Sequence, residues 1–446
     1  LSAFVGAGPY WNVNGDGTFS DTPNPDAAGL LLSNGNLAVA LFKPTDRSDT
    51  SSYYSVNAAL ESVSLPGLAS GGSSDSFELS ASGYRIEVNG GTNDVAVDFT
   101  SLNNGQLTVD TSTSNSIHFA YTSYLQKVAI ENATLSIGEY VYVSGGLSFT
   151  KYKDLKVKLS NPEKKTDLMV NAYAFGAGSV DLFVGSGSYF IDTHTSPDPP
   201  TTTARGEGAD GVIDEFDDRN RDAVGLAMEN ANFGLIIMRP TMDTATKYLA
   251  LKATADSVGM VGIDDFKLSA SGISVEYNTV KKTGATSTTP VVDFKASFGG
   301  DGYSLDVGNG ELTLDYEDAL LRASVETADL QIGDYVFVHG GLAFEKGTII
   351  EAGAALSDRV STTTSGLSAI NIGASDVSMF FGTNGPYLTD TNGDGVVDDD
   401  DTPNVNAVGL SITDADLALA VLSPAVGTGT RYIGLKASVD HAAFVG

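Results

Sequence analysis

The residues of this chain with the most specific chemistry are 390–401, DTNGDGVVDDDD. Side chains with oxygen atoms stand at positions 1, 3, 5, 9 and 12 of this segment, and Gly395 stands at position 6, where a calcium-binding loop turns sharply. Val396 can offer its backbone carbonyl at position 7, and Val397 at position 8 is expected to point into the core. Because calcium takes six to eight oxygen ligands at about 2.3–2.6 Å, the spacing predicts a calcium site.

Two degraded copies of this loop precede it. In residues 192–217 only the second half of the pattern is intact, and Asp192 is predicted to replace the missing early ligands, with the residues between looped out. In residues 12–21 the early positions match, but Ser20 stands at position 9, so Asp21 or Asp26 has to close the site. The predicted ligands are Asp390, Asn392, Asp394, Val396, Asp398 and Asp401 in the third loop, Asp192, Asp210, Val212, Asp214 and Asp217 in the second, and Asn12, Asn14, Asp16 and Asp21 in the first.

The three loops differ in their predicted affinity for calcium. The third matches every ligand position, whereas the first has the fewest carboxylates and is expected to bind most weakly, since affinity depends on ligand charge. The alternative for each loop is a solvated acidic turn without a metal ion.

Internal sequence matches place the loops at equivalent positions of a repeat. Residues 26–30 (DAAGL) return as 222–226 (DAVGL) and as 406–410 (NAVGL). Residues 247–253 (KYLALKA) return as 431–437 (RYIGLKA). These matches predict a tandem array in which each copy carries one Asp-rich loop.

The offsets between matches predict the boundaries of the copies. Repeat 1 covers residues 1–178, repeat 2 covers 179–375, and a partial repeat 3 covers 376–446. Because the last copy stops at a position equivalent to the middle of repeat 2, we expect the chain to be a segment of a longer array.

Apolar and other residues alternate through most of the chain, as in residues 330–338, and Gly, Asn and Asp interrupt the pattern. This alternation predicts short, evenly spaced β-strands. Residues 318–323 could form one helical turn, but they lie between alternating segments and are predicted to be strand. The fold class is therefore all-β. The favoured architecture is an elongated β-solenoid-like tandem repeat with Gly- and Asp-rich loops and coils of about 20 residues; the alternative is a string of β-sandwich domains.

Composition excludes several functions. The 446 residues include 25 Lys and Arg against 56 Asp and Glu, a net charge of −31, which argues against nucleic-acid partners and anionic membranes. The chain has no cysteine, so disulfides and thiolate chemistry are excluded. No apolar run is long enough to span a membrane. The four histidines are scattered, and no catalytic motif occurs, so we predict that the protein is not an enzyme.

The loops resemble those of thrombospondin type 3 repeats and dockerins, which bind calcium through a D-x-N-x-D-G motif. The larger frame resembles repeats of giant bacterial extracellular and cell-surface proteins of the adhesin or RTX-like kind. That resemblance is carried by Gly-Pro-Tyr before the Asn-Gly-Asp-Gly loop, by AVGL at 223–226 and 407–410, and by LSASG at 79–83 and 268–272. The Gly-Gly-x-Gly-x-Asp nonapeptides of true RTX repeats are absent from the sequence.

The resemblance implies a structural or adhesive role outside the cell or at the bacterial cell surface. The favoured hypothesis is a structural module of a large secreted or surface-attached protein or filament, rigidified by calcium. Its expected partners are neighbouring repeats of the same chain or fibre. An adhesive module that binds glycans or a partner surface is the alternative, and a polysaccharide-active enzyme with paired carboxylates is less favoured.

Overall fold

In the computed structural model of the protein, the described residues are 3–7, 10–13, 19–24, 26–64, 77–102, 104–137, 140–160, 167–187, 189–191, 218–220, 222–243, 245–263, 266–285, 289–350, 367–391, 397, 400–424 and 431–446. No helix among them is long and apolar enough to cross a bilayer.

The described residues form an all-β structure, as predicted. Besides the helix α1 (Phe294–Ser297) and two 3-10 turns (Thr92–Asp94 and Phe99–Ser101), the elements are strands. They are β1 (Ala3–Ala7), β2 (Trp11–Val13), β3 (Phe19–Pro23), β4 (Ala28–Ser33), β5 (Asn36–Phe42), β6 (Tyr53–Ser64), β7 (Phe77–Gly91), β8 (Leu107–Asp110), β9 (Ser116–Phe119), β10 (Leu125–Ile137), β11 (Val141–Leu159), β12 (Asp167–Ser186), β13 (Phe190–Ile191), β14 (Asp218–Arg219), β15 (Val224–Pro240), β16 (Lys247–Val261), β17 (Phe266–Lys281), β18 (Val292–Asp293), β19 (Tyr303–Asp306), β20 (Glu311–Leu314), β21 (Leu320–Ile332), β22 (Val336–Ile350), β23 (Leu367–Thr383), β24 (Val408–Pro424) and β25 (Tyr432–Val445).

The prediction of short strands is wrong. The strands β11 and β12 have 19 and 20 residues, and successive long strands pair antiparallel. The cause lies at glycines that the sequence suggested were turns. Gly83 has φ 67° and Gly272 has φ 58°, yet both lie inside continuous strands. A residue in the left-handed region can form a bulge that bends a strand without ending it.

The first of two compact units comprises Leu1–Lys156, Met169–Arg221 and Leu305–Leu312. Its sheet includes the antiparallel pairs β1–β4, β4–β6, β5–β6, β6–β7, β7–β10 and β10–β11. Between β7 and β10 the chain leaves the sheet and returns, and this excursion packs Phe99 and Phe119 against Ala38 and Ala40 of β5. The two phenylalanines are fully buried and stacked with ring centroids 5.8 Å apart, so they form the core of this region.

The second unit comprises Val157–Leu168, Asp222–Ser304 and Thr313–Gly446. Its strands β15, β16, β17, β21, β22, β23, β24 and β25 pair antiparallel in that order. The strand β21 includes residues 320–323, which confirms strand rather than helix there. The repeat boundaries after residues 178 and 375 stay a prediction.

Both units contain the same buried hydrogen-bond arrangement at positions that the sequence matches align. A buried asparagine amide near the end of a long strand donates two hydrogen bonds to carbonyls of the excursion that follows. The bonds run from Asn89 Nδ2 to Val97 O (2.8 Å) and Ser123 O (2.9 Å), and from Asn278 Nδ2 to Val292 O (3.0 Å) and Asp318 O (2.9 Å). Each asparagine thereby holds an excursion from the sheet in a fixed position.

Candidate metal centre

The third predicted loop lies between β23 and β24 in the second unit. Asp390, Thr391 and Val397 are described, as are residues 400–424. The predicted ligands Asn392, Asp394, Val396 and Asp398 lie outside the described residues.

Asp401, the position-12 ligand, closes the base of this loop. Its side chain is buried, with 4% of the residue exposed. Its Oδ1 accepts a hydrogen bond from Thr391 N at 2.7 Å and another from Thr391 Oγ1 at 3.1 Å. Thr402 N donates in turn to Thr391 Oγ1 at 3.2 Å. The second and last residues of the loop are thus held together, and a buried carboxylate stands at its base.

Val397 attaches the middle of the loop to the sheet. Its carbonyl accepts a short hydrogen bond from Ser378 Oγ in β23. Its side chain is half-buried and lines, with Leu388, a cavity of about 370 Å³. This inward position agrees with the prediction for position 8 of a calcium loop.

All three predicted loops are closed by the same backbone contact, a feature that sequence reasoning missed. In each, a tyrosine carbonyl before the loop accepts a hydrogen bond from an asparagine N–H after it. These bonds join Asn24 to Tyr10 (2.7 Å), Asn220 to Tyr189 (2.8 Å) and Asn404 to Tyr387 (2.7 Å). The signal was present in the sequence as a Tyr before and an Asn after every loop.

The Tyr–Asn contact also aligns one carboxylate across the three loops. An aspartate stands three residues before each asparagine, namely Asp21, Asp217 and Asp401. Between the two residues that the sequence allowed to close the first loop, Asp21 and Asp26, this alignment selects Asp21, because it is the counterpart of the buried Asp401.

The other ligands of the first two loops are only partly described. Asn12 is exposed in β2, and Asp21 lies in β3, its side chain outside the described residues. The two strands pair as a hairpin, Trp11 with Pro23 and Val13 with Phe19. Outside the described residues lie Asn14 and Asp16 of the first loop and Asp192, Asp210, Val212, Asp214 and Asp217 of the second.

The ends of the second loop are nevertheless brought together. In the two-residue ladder of β13 and β14, Ile191 pairs with Asp218. Asp192 and Asp217 are the residues next to that pair in the sequence. The ladder therefore brings the two ends of the second loop together, as the prediction of a looped-out insertion requires.

A second group of carboxylates lies within the sheet of the second unit. Carboxylate oxygens of Asp376 in β23 and of Asp414 and Asp416 in β24 lie within 4.8 Å of one another. Partial burial raises the pKa of Asp414, and the nearby carboxylates of Asp440 and Asp416 raise it further. Such a group favours a bound proton or cation, since adjacent like charges destabilise each other.

The counterparts of Asp414 explain why this group is unusual. Asn34 and Asn230 occupy the equivalent bulge positions, with φ 52° and 46° against 51° for Asp414. Each asparagine donates a hydrogen bond from Nδ2 to a carboxylate of the next long strand, Asn34 to Glu61 at 2.7 Å and Asn230 to Asp256 at 2.8 Å. At the third position the amide is replaced by a carboxyl that faces Asp440.

Replacing this carboxyl by the amide of its counterparts should stabilise the protein. We expect Asp414→Asn to raise the Tm by a few degrees at pH 7 in EDTA, because an amide can donate to Asp440. The raised pKa means that ionised Asp414 is unfavourable in the folded state at neutral pH. The cost is lost as the pH falls through the raised pKa of Asp414 to the ordinary aspartate pKa, about 4, and below. The gain in Tm should be lost over the same pH range. The measurement is thermal unfolding at the two pH values.

The reciprocal change in the second copy is the control. Asn230→Asp should lower the Tm at pH 7, because it places a carboxylate beside that of Asp256. A lower Tm for Asp414→Asn in EDTA at pH 7 would contradict the explanation.

The cavity beside the third loop contains a charged cluster. Asp329 bonds His339 Nδ1 at 2.9 Å through one carboxylate oxygen and Lys267 Nζ at 3.2 Å through the other. The hydrogen bond from His339 holds the pKa of Asp329 below its usual value, and Lys267 acts in the same direction. In the sequence His339 is one of four scattered histidines, and its charged neighbours become apparent only once β17, β21 and β22 are paired.

Ser378 pairs across the sheet with His339, which raises the question of a serine nucleophile. A nucleophilic serine gives its proton to the histidine. The Ser378 proton is instead donated to the carbonyl of Val397. In this conformation Ser378 attaches the loop and is not activated for attack.

Comparisons of the chain with models of known families, with curated proteins and with solved structures gave no match. The interpretation of this centre therefore depends on its own sequence and geometry.

Proposed function

We propose that the chain is a structural repeat module of a large secreted or surface-attached bacterial protein or extracellular filament, rigidified by calcium in its Asp-rich loops. The observation that carries the proposal is the Tyr–Asn contact that closes all three loops. Each loop has an aspartate three residues before that asparagine, and in the third loop this carboxylate is buried at the base.

Calcium is expected to stabilise the folded state mainly by reducing charge repulsion. The chain carries a net charge of −31, which disfavours a compact state through self-repulsion. Each bound calcium ion removes two negative charges and binds only the ordered loop. It stabilises the folded state by about 2.7 kcal/mol at a hundredfold excess over Kd. The carboxylates of Asp376, Asp414 and Asp416 offer a further place for a cation within the sheet.

The architecture that we propose is an elongated array built from antiparallel strands. The long strands from β15 to β25 pair in chain order, with β17 beside β21, which suits a sheet that continues from copy to copy. Coils of about 20 residues do not suit strands of this length. A string of β-sandwiches remains the alternative.

An adhesive role is the second candidate, and the cavity beside the third loop favours it. The cavity combines the aromatic side chains of Phe337 and Phe380 with the charged groups of Lys267, Asp329 and His339. Apolar faces with a few polar groups are typical of small-ligand sites. Saturable binding of a glycan from an array, lost on Phe380→Ala, would favour this function.

Calcium titration tests the structural proposal. We expect the Tm of the chain in EDTA to rise with added calcium and to saturate, and cleavage by a protease near residues 390–401 to become slower. Magnesium at equal concentration is the control, because it prefers a stricter octahedral geometry and should have a smaller effect. An equal Tm in calcium and in EDTA would rule out the calcium part of the proposal.

A further inference from the structure

The sheet of the first unit has an apolar face on the side opposite its excursion. On β5, Ala38 and Ala40 pack against the buried phenylalanines of the excursion, so Leu37, Val39 and Leu41 lie on the other side. Residues that face each other in a ladder share a side of the sheet, and the registers therefore extend this face from β5 through β6, β7 and β10 to β11. One row across these five strands consists of Leu37, Ala58, Ile86, Val128 and Phe149.

The rows beside it are apolar as well. The row on one side is Val39, Val56, Val88, Gln126 and Lys151, and the row on the other is Leu60, Tyr84, Ile130 and Leu147. The face continues onto β12, where the rings of Tyr173 and Phe175 lie 6.3 and 5.1 Å from the ring of Phe149. The only charged side chain in these three rows is Lys151, at the end of one of them.

This face of the first unit is exposed over its whole width. Leu41 is 79% exposed and Leu37 49% on β5, and Val128 is 45% and Leu147 46% in the middle of the sheet. Six strands with about 4.8 Å between neighbours, and rows about 7 Å apart along them, give an area of about 600 Å². That is the upper end of the apolar patches that monomeric soluble proteins expose, and patches of this size mark interaction sites.

The same face occurs in the second unit. Its counterpart row is Phe233, Ala253, Val275, Ala323, Phe344 and Ile372. Asn278, which holds the excursion of this unit, lies on the opposite side, because it is an odd number of residues from Val275 in one strand. Leu342 and Ile372 are 51% and 39% exposed. The face is thus exposed both with a repeat after it and with a repeat before it in the sequence, so its exposure does not depend on where the chain begins or ends.

We infer that the apolar face of the first unit packs against the same face of a second copy of the chain, so that each chain supplies one sheet of a β-sandwich. Sheets in such sandwiches lie about 10 Å apart, with their strands within about 30° of each other. The inference goes beyond the proposed function, because it concerns contacts between chains and not along one array. It holds with or without bound calcium.

Charge and area favour a copy of the chain as the occupant. The chain carries a net charge of −31, yet this face has one lysine in its three rows and offers a charged partner almost nothing to pair with. It requires another apolar face, and the chain itself has one. Two such faces together bury about 1,200 Å², which reaches the range of specific protein–protein interfaces. A contact made by the same patch on both copies closes as a two-fold dimer.

Sedimentation equilibrium of the full chain in EDTA tests the inference independently of calcium. We expect a monomer–dimer equilibrium with a Kd on the order of 10 μM, the weak end for an interface of this size. Added sodium chloride should tighten the dimer, because salt screens the repulsion between two acidic chains and the face has no ion pairs to lose. A chain that is still monomeric at about 20 times that concentration, or a dimer that dissociates in salt, would overturn the inference.

Two exposed valines of the first unit provide a matched pair of variants. Val128 lies in the middle of the face, whereas Val95, 52% exposed, lies in the excursion between β7 and β10. Val128→Lys should weaken the dimer at least about tenfold, because a two-fold contact buries the unpaired ammonium group twice. Val95→Lys changes the charge equally and should change the Kd by less than about twofold. Since a lysine lowers the net negative charge, stronger repulsion between the chains does not explain a weaker dimer.

Leu37→Lys repeats the test at the more exposed end of the same row. Circular dichroism and the Tm of the monomer show whether each variant is folded, so that the comparison rests on folded chains. We expect Leu37→Lys to weaken the dimer as Val128→Lys does. Equal Kd values for Leu37→Lys, Val95→Lys and the unchanged chain would contradict the assignment of the contact to this face.

Uncharged phosphatidylcholine vesicles test a lipid surface as the occupant. We expect the chain not to float with them in a density gradient, because its face is matched by a second copy. If a chain that does not dimerise floats with the vesicles, and Val128→Lys abolishes flotation while Val95→Lys does not, the face binds lipid and the inference is wrong.

Discussion

Asn278→Leu should lower the free energy of unfolding of the second unit by about 2–4 kcal/mol. The side chain is 1% exposed, and its amide is the donor to Val292 O and Asp318 O. Leucine has a similar size but no donor, so the buried carbonyl of Val292 and the partly buried carbonyl of Asp318 lose a partner. Each costs about 1–3 kcal/mol, which outweighs the apolar gain. The measurement is urea unfolding of the full chain, analysed for separate transitions of the two units.

A substitution at the nearby Ala250 should raise the free energy of unfolding instead of lowering it. Asn89 Oδ1 accepts a hydrogen bond from Ser55 Oγ at 2.8 Å, whereas the buried Asn278 Oδ1 has no hydrogen-bond partner among the described residues. Ala250 faces Asn278 as Ser55 faces Asn89. Ala250→Ser should therefore stabilise the second unit by about 1 kcal/mol. Ala255→Ser, which faces Ile273, is the control and should not stabilise.

These two substitutions test whether the asparagine acts through its hydrogen bonds. If Asn278→Leu costs less than about 1 kcal/mol, packing alone holds the excursion, since a lost bond to a buried group costs at least that much. If Ala250→Ser and Ala255→Ser have equal effects, the carbonyl end of Asn278 is not the cause.

The sequence was sufficient for the fold class because alternation reports which face of a strand is buried. It could not give strand length. A glycine with positive φ ends a strand when the chain reverses and bends it when a neighbouring strand continues alongside, and the local sequence is similar in the two cases. At Gly272 the strand continues, because β17 pairs with β16 on both sides of it.

At the candidate site, too, local features could be predicted from the sequence, whereas features that depend on strand pairing could not. The ligand spacing of residues 390–401 is local, so sequence could identify it. The carboxylates of Asp376 and Asp414 are far apart in the sequence and meet only because β23 pairs with β24, where Val377 faces Ala415. One signal could have found this group, the replacement by aspartate of an asparagine present at both Asn34 and Asn230. It has meaning only once the partner carboxylate on the next strand is known.

Asp401→Asn should remove about half of the stabilisation that calcium gives the third loop at a hundredfold excess over Kd, while leaving the loop closed. The amide oxygen can still accept the hydrogen bonds that Asp401 Oδ1 takes from Thr391. In EDTA we therefore expect the unfolding free energy to change by less than about 1 kcal/mol. In calcium, the loss of one charged ligand weakens binding at least about tenfold, which reduces the stabilisation by about 1.4 kcal/mol.

The neighbouring Asp400→Asn separates coordination from general charge. Asp400 stands at position 11, which supplies no ligand in a loop of this kind, and its removal lowers the negative charge of the loop equally. If calcium acts by coordination, Asp400→Asn keeps most of the calcium-induced rise in Tm and Asp401→Asn does not. Equal losses for the two variants would mean that calcium acts by screening an acidic surface. In that case magnesium should stabilise the chain as well as calcium does.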